Sequence, residues 1–158
     1  MDPRFEKLYK NNSKYVYNVA LGMLRNRDEA EDIMQNVFIK LFEGYSSFRG
    51  ESDIKTYLYR MTVNKTIDYI RSRNLRSDKI ENMELPEPKK TDSNISMLDS
   101  LLDKLNDELK APILLAEIGG FSYKEIAEIM NINLGTVKSR INRGIAKLRE
   151  YAEKEALL

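Results

Sequence analysis

The chain contains no cysteine, histidine or tryptophan, and only 4 prolines and 7 glycines in 158 residues. Without cysteine there are no disulfides, thiolate zinc sites, thiol nucleophiles or iron–sulfur clusters. Without histidine the usual general base, the commonest metal ligand and the physiological pH switch are missing, which disfavours most hydrolase chemistry. No apolar run approaches the roughly 20 residues of a membrane span. The segment Met1-Asp2-Pro3-Arg4-Phe5-Glu6 has no apolar core of the secretory kind, so the expected location is cytoplasmic. What remains is a wet-surfaced globular composition, 42% hydrophobic and 32% charged, suited to binding rather than catalysis.

Charge is balanced overall but uneven locally. Lys plus Arg is 26 and Asp plus Glu is 25, a net of +1. Lys55 to Lys79 carries seven basic residues against Asp68 and Asp78, and Leu134 to Arg149 carries five basic residues and no acid. Two basic helical stretches on a neutral chain point to local contact with a polyanion, or to solvated helix faces. Between them, Leu85-Pro86-Glu87-Pro88-Lys89-Lys90-Thr91-Asp92-Ser93-Asn94 is too polar to bury a core. The expected organisation is therefore all-α: a helical domain over 1–77, a flexible linker over 78–97 and a second helical domain over 98–158.

The spacing predicts helices over 3–24, 28–45 and 53–73. Asp28 and Glu31 have the spacing of a capping box at the start of the second. Its core arc is Ala30, Ile33, Met34, Val37, Leu41 and Tyr45, with Phe38 at the margin. The opposite arc carries Asp32, Gln35, Ile39 and Phe42. Two large apolar residues in line with an acid and an amide suggest a partner surface, or packing on a neighbouring helix. Gly50 permits a tight turn, and Ser52 or Asp53 is placed to cap the third helix. That helix interleaves Tyr57, Tyr59 and Tyr69 with Arg60, Lys65, Arg71 and Arg73, a pattern suited to stacking on single-stranded bases while cations hold phosphates. Asn64, Asp68 and Arg71 form a polar stripe along it.

The second half has a more specific pattern. Asn106 is placed to cap a helix that passes Pro112, where a kink is expected, and ends at Gly119-Gly120. Ser122 and Glu125 have capping-box spacing before a short helix with Ile126, Ala127, Ile129 and Met130 inward. The turn Asn131-Ile132-Asn133 then leads into a last helix, making a helix-turn-helix. On a wheel of about 100° per residue, Val137, Ile141, Gly144, Ile145 and Leu148 share the core face. Thr136, Ser139, Arg143 and Ala146 lie opposite, Asn142 stands at the edge, and Lys138, Arg140 and Lys147 lie on the flanks. Hydrogen-bonding groups at the centre with cations at the rims suit a major groove.

In order and spacing these segments resemble an extracytoplasmic-function (ECF) sigma factor of the sigma-70 family, the compact class of bacterial RNA polymerase specificity subunits. The stretch from Asp28 to Leu41 is similar to the family's polymerase-docking region. Phe48-Arg49-Gly50-Glu51-Ser52, with Lys55-Thr56-Tyr57-Leu58-Tyr59-Arg60 and Asn64, is similar to its −10 reading segment. Tyr123 to Arg140 is similar to its −35 reading helix-turn-helix. Tyr57 stands where the family usually has Trp, and Asn131-Ile132-Asn133-Leu134 replaces a commoner Gly-Ile-Pro-Val type of turn.

The resemblance implies a two-domain promoter reader, active in transcription initiation and its regulation, with no catalytic residue, metal or cofactor of its own. Asp32, Gln35, Phe38, Ile39 and Phe42 would bind the clamp helices of the polymerase largest subunit. Phe48, Arg49, Tyr57, Arg60, Met61, Asn64 and Lys65 would engage −10 DNA, with Phe48, Met61 and Asn64 holding a flipped base. Thr136, Lys138, Ser139, Arg140, Asn142, Arg143 and Lys147 would engage the −35 duplex while this domain touches the polymerase flap. Core RNA polymerase, promoter DNA and an anti-sigma factor are the implied partners. Other readings are a stand-alone helix-turn-helix repressor, which needs a dimer surface and sensor domain, and a phage or toxin-locus activator with the same machinery. A metal-dependent nuclease would need clustered carboxylates. Asp28, Glu29, Glu31 and Asp32 cluster only along one helix start, where acids also favour the dipole.

Overall fold

The computed structural model describes residues 2–48, 50–79 and 97–156, and every regular element among them is helical. The first half holds α1 (Pro3–Leu24), α2 (Arg27–Gly44), a 3-10 turn over Tyr45–Ser47 and α3 (Glu51–Lys79). The second holds α4 (Met97–Leu102), α5 (Asp107–Glu117), α6 (Tyr123–Met130) and α7 (Leu134–Ala156). Most of the linker expected over 78–97 lies outside the described residues; α3 continues through Lys79 at one edge and α4 begins at Met97 at the other.

Local chemistry explains most helix ends. Asp2 caps α1, its carboxylate accepting from the Arg4 N–H at 2.8 Å, and Pro3 takes the first helical position, where a missing N–H costs nothing. The second helix starts one residue before the sequence suggests. Its cap is Asn26, in extended backbone geometry with its side-chain oxygen accepting from the Glu29 N–H at 3.0 Å; Asp28 sits inside the first turn. Arg25, at φ 59, makes the sharp corner between α1 and α2, and Asn26 follows it in position to cap. Likewise α3 begins at Glu51, with the Gly50 carbonyl accepting from the Ile54 N–H, so Ser52 and Asp53 lie within its first turn instead of capping it.

Val16, Val19, Ala20, Ala30, Val37, Leu41, Leu58 and Val63 fill the core between α1, α2 and α3. Glu29 ties α2 to α3, accepting from the Tyr69 hydroxyl at 2.8 Å and pairing with Arg73 at 2.9 Å. That hydrogen bond, followed by burial, pushes the Tyr69 hydroxyl above its ordinary pKa.

In the second half Asn106 caps α5, accepting from the Leu109 N–H at 3.1 Å, and α5 runs through Pro112 to Glu117. Ser122 and Glu125 form the expected reciprocal box on α6, at 3.1 and 3.0 Å, which holds the Glu125 carboxyl below its usual range. Asn131, at φ 54, closes α6 and turns the chain into α7. Gly144 lets α7 approach α5 closely: a Cβ there would stand 2.5 Å from Ile113 Cδ1. Val137, Ile141 and Gly144 are buried, but Ile145, expected on the core face, is 38% exposed. The contact line is centred on Gly144, and a residue one step on is rotated out of it.

The two halves share one continuous hydrophobic cluster. Leu114 of α5 lies against Gly22 of α1, where a Cβ would meet its methyl carbons at 2.9 Å. The Phe121 ring meets Tyr59 edge-on at 4.7 Å, and Lys55 Nζ lies 5.0 Å from the Phe121 ring centre. Arg25 pairs with Asp103 at 3.2 Å.

Candidate functional site

Three surfaces carry the residues singled out by sequence. On α2, Asp32, Gln35, Ile39 and Phe42 are all exposed, Ile39 at 57% and Phe42 at 51%. Gln35 donates to Glu31 at 3.3 Å. Phe38 differs. It is 4% exposed, its ring edge-on to Tyr9 at 4.9 Å. It is a core residue that supports the surface from beneath, because its position on the wheel turns it toward α1. Phe5 of α1 meets Phe42 edge-on at 5.1 Å and Tyr45 at 5.5 Å. Tyr9, 40% exposed on α1 and packed on Phe38, therefore adds an aromatic ridge beside the α2 stripe. The sequence reading missed Tyr9; the signal for it was the four-residue spacing of Phe5 and Tyr9, which puts both rings on one side of α1.

The second surface is one face of α3. Tyr57, Arg60, Met61, Asn64 and Lys65 recur at helical spacing and so line one side of it. Phe48 extends this row from the preceding turn, its ring 5.0 Å from that of Tyr57. Tyr57 is 42% exposed, Asn64 is exposed, and Phe48, Met61 and Lys65 are half-buried. Arg49 lies outside the described residues. Lys65 is held below its ordinary pKa by burial and then by Lys40 of α2. Lys40 and Lys65 together place two cations at the edge of this face, a local charge that suits a polyanion. Lys40 is thus a further candidate for phosphate contact, invisible in sequence because the pairing arises only when α2 packs on α3. A cleft of about 940 Å³ opens beside Phe48 and is lined by Tyr45, Ile54, Tyr59 and Gly119, but Met61 and Asn64 do not line it. The three proposed base-pocket residues share a face without enclosing that cavity.

Arg60 is already engaged. Its Nε donates to the Ile129 carbonyl at 3.1 Å, and a second guanidinium nitrogen donates to the Glu128 carbonyl.

The third surface is α7. Lys138, Ser139, Asn142, Arg143 and Lys147 are exposed, while Thr136 and Arg140 are half-buried. With Val137 and Ile141 buried beneath, the amide and the cations project from a helix anchored by α5 and α6. That is the disposition of a groove-entering helix. Among the described residues no group of three or more acidic side chains is placed to hold a metal ion, and no helix is long and apolar enough to cross a membrane.

Comparison with known proteins adds to this geometry. Residues 8–76 match the family model for sigma-70 region 2, and residues 95–148 match that for sigma-70 region 4. The chain is 32% identical to the ECF RNA polymerase sigma factor SigE of Mycolicibacterium smegmatis, across 98% of this chain and 63% of that protein's length. It is 34% identical to the ECF RNA polymerase sigma-E factor of Haemophilus influenzae, with 83% and 79% covered. Its fold is similar to that of the sigma factor RpoE from Bartonella quintana, solved in complex with the anti-sigma factor NepR. The TM-score is 0.79 at 22% identity, over 95% of this chain and 97% of that one.

Proposed function

The chain belongs to the ECF sigma factors of the sigma-70 family, and on that premise we propose that it binds core RNA polymerase and directs it to promoters by reading −10 and −35 DNA. The α2 stripe with its aromatic ridge docks on polymerase. The α3 face, residues 57–65 with Phe48 and, outside the described residues, Arg49, engages the −10 strand. The α7 face reads the −35 duplex. Polymerase performs the chemistry; the chain works in the cytoplasm and joins the nucleoid within holoenzyme. An anti-sigma factor is proposed as a further partner, since the Bartonella quintana relative was solved in complex with one.

The observation that carries this reading is the exposure of Ile39 and Phe42 beside Asp32 and Gln35 on a helix whose other side is fully packed. Solvent-facing helix positions ordinarily exclude such residues, whereas interface centres use them. Truncating interface anchors costs about 2 kcal/mol or more. Gln35→Ala with Phe42→Ala is expected to weaken binding to core polymerase at least about tenfold, with the helical circular dichroism unchanged. Unchanged affinity in a titration against purified core enzyme sinks the assignment. A stand-alone repressor would instead bind duplex DNA tightly without polymerase.

A further inference from the structure

We propose that the cleft beside Phe48 is a binding site for a free nucleoside polyphosphate, a ligand with one aromatic base and a chain of phosphates. This inference does not rest on the promoter-reading roles of α3 and α7.

Size and charge both suit such a ligand. The cleft volume of about 940 Å³ lies within the roughly 300–1,000 Å³ of small-molecule sites. Helix α1, the turn after α2, the start of α3 and the corner after α5 all contribute to it. The charged side chains lining it are Asp2, Arg4, Lys7 and Lys55, three cations to one carboxylate. That carboxylate is already engaged, pairing with Arg4 at 3.2 Å. Lys55 lies 5.0 Å from the Phe121 ring centre and also faces Glu125, whose carboxylate accepts from the Ser122 N–H. Lys7 stands on α1 and Lys55 on α3, so positive charge reaches the cleft from two elements. Charge spread in this way suits a chain of phosphates better than a single compact anion.

Rings and amides complete the site. Tyr15 is 48% exposed and Phe48 half-buried, which leaves aromatic surface for a base. Asn12 also lines the cleft and is 7% exposed. Its oxygen accepts from the Tyr59 hydroxyl at 3.3 Å, and its amide nitrogen donates to the Leu8 carbonyl at 3.0 Å. An amide nitrogen carries two hydrogens, so one donor of this buried side chain remains for a ligand. At Gly120 a Cβ would meet nothing within 4 Å, which lets a ligand come up against bare backbone. The cleft is also separate from the face assigned to the −10 strand. Phe48 belongs to both, but Tyr57, Met61, Asn64 and Lys65 do not line the cleft. That separation favours a free ligand over the strand that follows α3.

The chain has no tryptophan, so Tyr15→Trp places a single indole at the cleft. ATP and GTP are titrated separately into the full chain without polymerase. At least one is expected to quench the indole saturably below about 1 mM. Adenosine and inorganic tripolyphosphate, the two parts of the ligand, are expected to bind at least about tenfold more weakly than the tighter nucleotide. Lys7→Gln with Lys55→Gln, both at exposed positions, is expected to weaken that nucleotide at least about tenfold with the circular dichroism unchanged. Calorimetry on the chain that retains Tyr15 separates the site from any effect of the indole. No saturable binding by either method overturns the proposal. So does equal affinity for tripolyphosphate, which reduces the cleft to an unspecific basic patch, and so does unchanged affinity in the double lysine variant. A single-stranded oligonucleotide of about 12 residues that displaces the nucleotide and binds the indole site more tightly gives the cleft to the strand, and that result likewise overturns it.

Discussion

Arg143 and Lys147 stand one turn apart on α7, both exposed, and on the proposed −35 reading they meet different chemistry. Arg143 lies opposite buried Val137 and Ile141, at the centre of the outer face, where base edges are met. Lys147 lies on the flank, where groove walls carry phosphates. A bidentate Arg–guanine contact discriminates by about 1–3 kcal/mol, whereas a phosphate-bound Lys is indifferent to sequence and adds roughly one unit to the salt slope. Arg143→Ala is therefore expected to flatten base preference within the −35 element, and Lys147→Ala to weaken all sites alike and lower the salt dependence. Holoenzyme binding to single-base −35 variants at two salt concentrations distinguishes them. Equal loss at every variant for Arg143→Ala moves the base contact to Arg140 or Asn142. At this scale the wheel served well for the centres of faces and poorly at their margins. Phe38 and Ile145 lie at the margins, where the exact line of contact with a neighbouring helix decides burial. Gly144 sets that line on α7.

Among the elements, α6 is the shortest of the helix-turn-helix and depends most on its ends. Eight residues are too few to hold a helix by propensity, so the reciprocal Ser122–Glu125 bonds and the buried Ile126 and Ile129 carry it. Ser122→Ala is expected to cost about 1 kcal/mol, read as a lower urea midpoint. The Glu125 carboxyl sits below its ordinary pKa when folded. Its share of the cap is therefore complete above that ordinary value and fades as pH falls through the depressed one. This box was legible from residue types and spacing alone, as was the Asn106 cap. The α2 start was displaced because Asn26 and Asp28 are both competent caps, and the left-handed corner at Arg25 favours the earlier one. The span of α3 was underestimated because its polar last turns offer no hydrophobic period to follow.

Across the whole molecule, the junction of the halves gathers charge. Lys110 of α5 is 5% exposed, with Asp103 and Asp107 attracting it and Arg25 and Arg73 of the first half opposing it. Burial is the main cause of its lowered pKa, so the charged form is less favoured folded than unfolded. Stability is accordingly expected to rise as pH climbs through the depressed value toward the ordinary 10.5. Lys110→Met should remove that slope and add about 1 kcal/mol near neutrality, measured by urea unfolding at several pH values. Nothing in the sequence announced this junction. Gly22, Leu114 and Phe121 are unexceptional one at a time, and their meeting depends on how two separately plausible helical units are apposed.

The 29 residues of α3 make a rod about 44 Å long, anchored at its start beneath Phe48 and Tyr57. Such a rod is a lever. A swing of about 5° about its start would carry its far end through about 4 Å, comparable to the rise between neighbouring bases on a strand. Glu29 grips it through Tyr69 and Arg73, well toward the far end, and does so from the helix that presents Ile39 and Phe42. A load applied to α2 is thereby delivered well along the rod, where one carboxylate adds to the core packing that already holds α3 against α1 and α2.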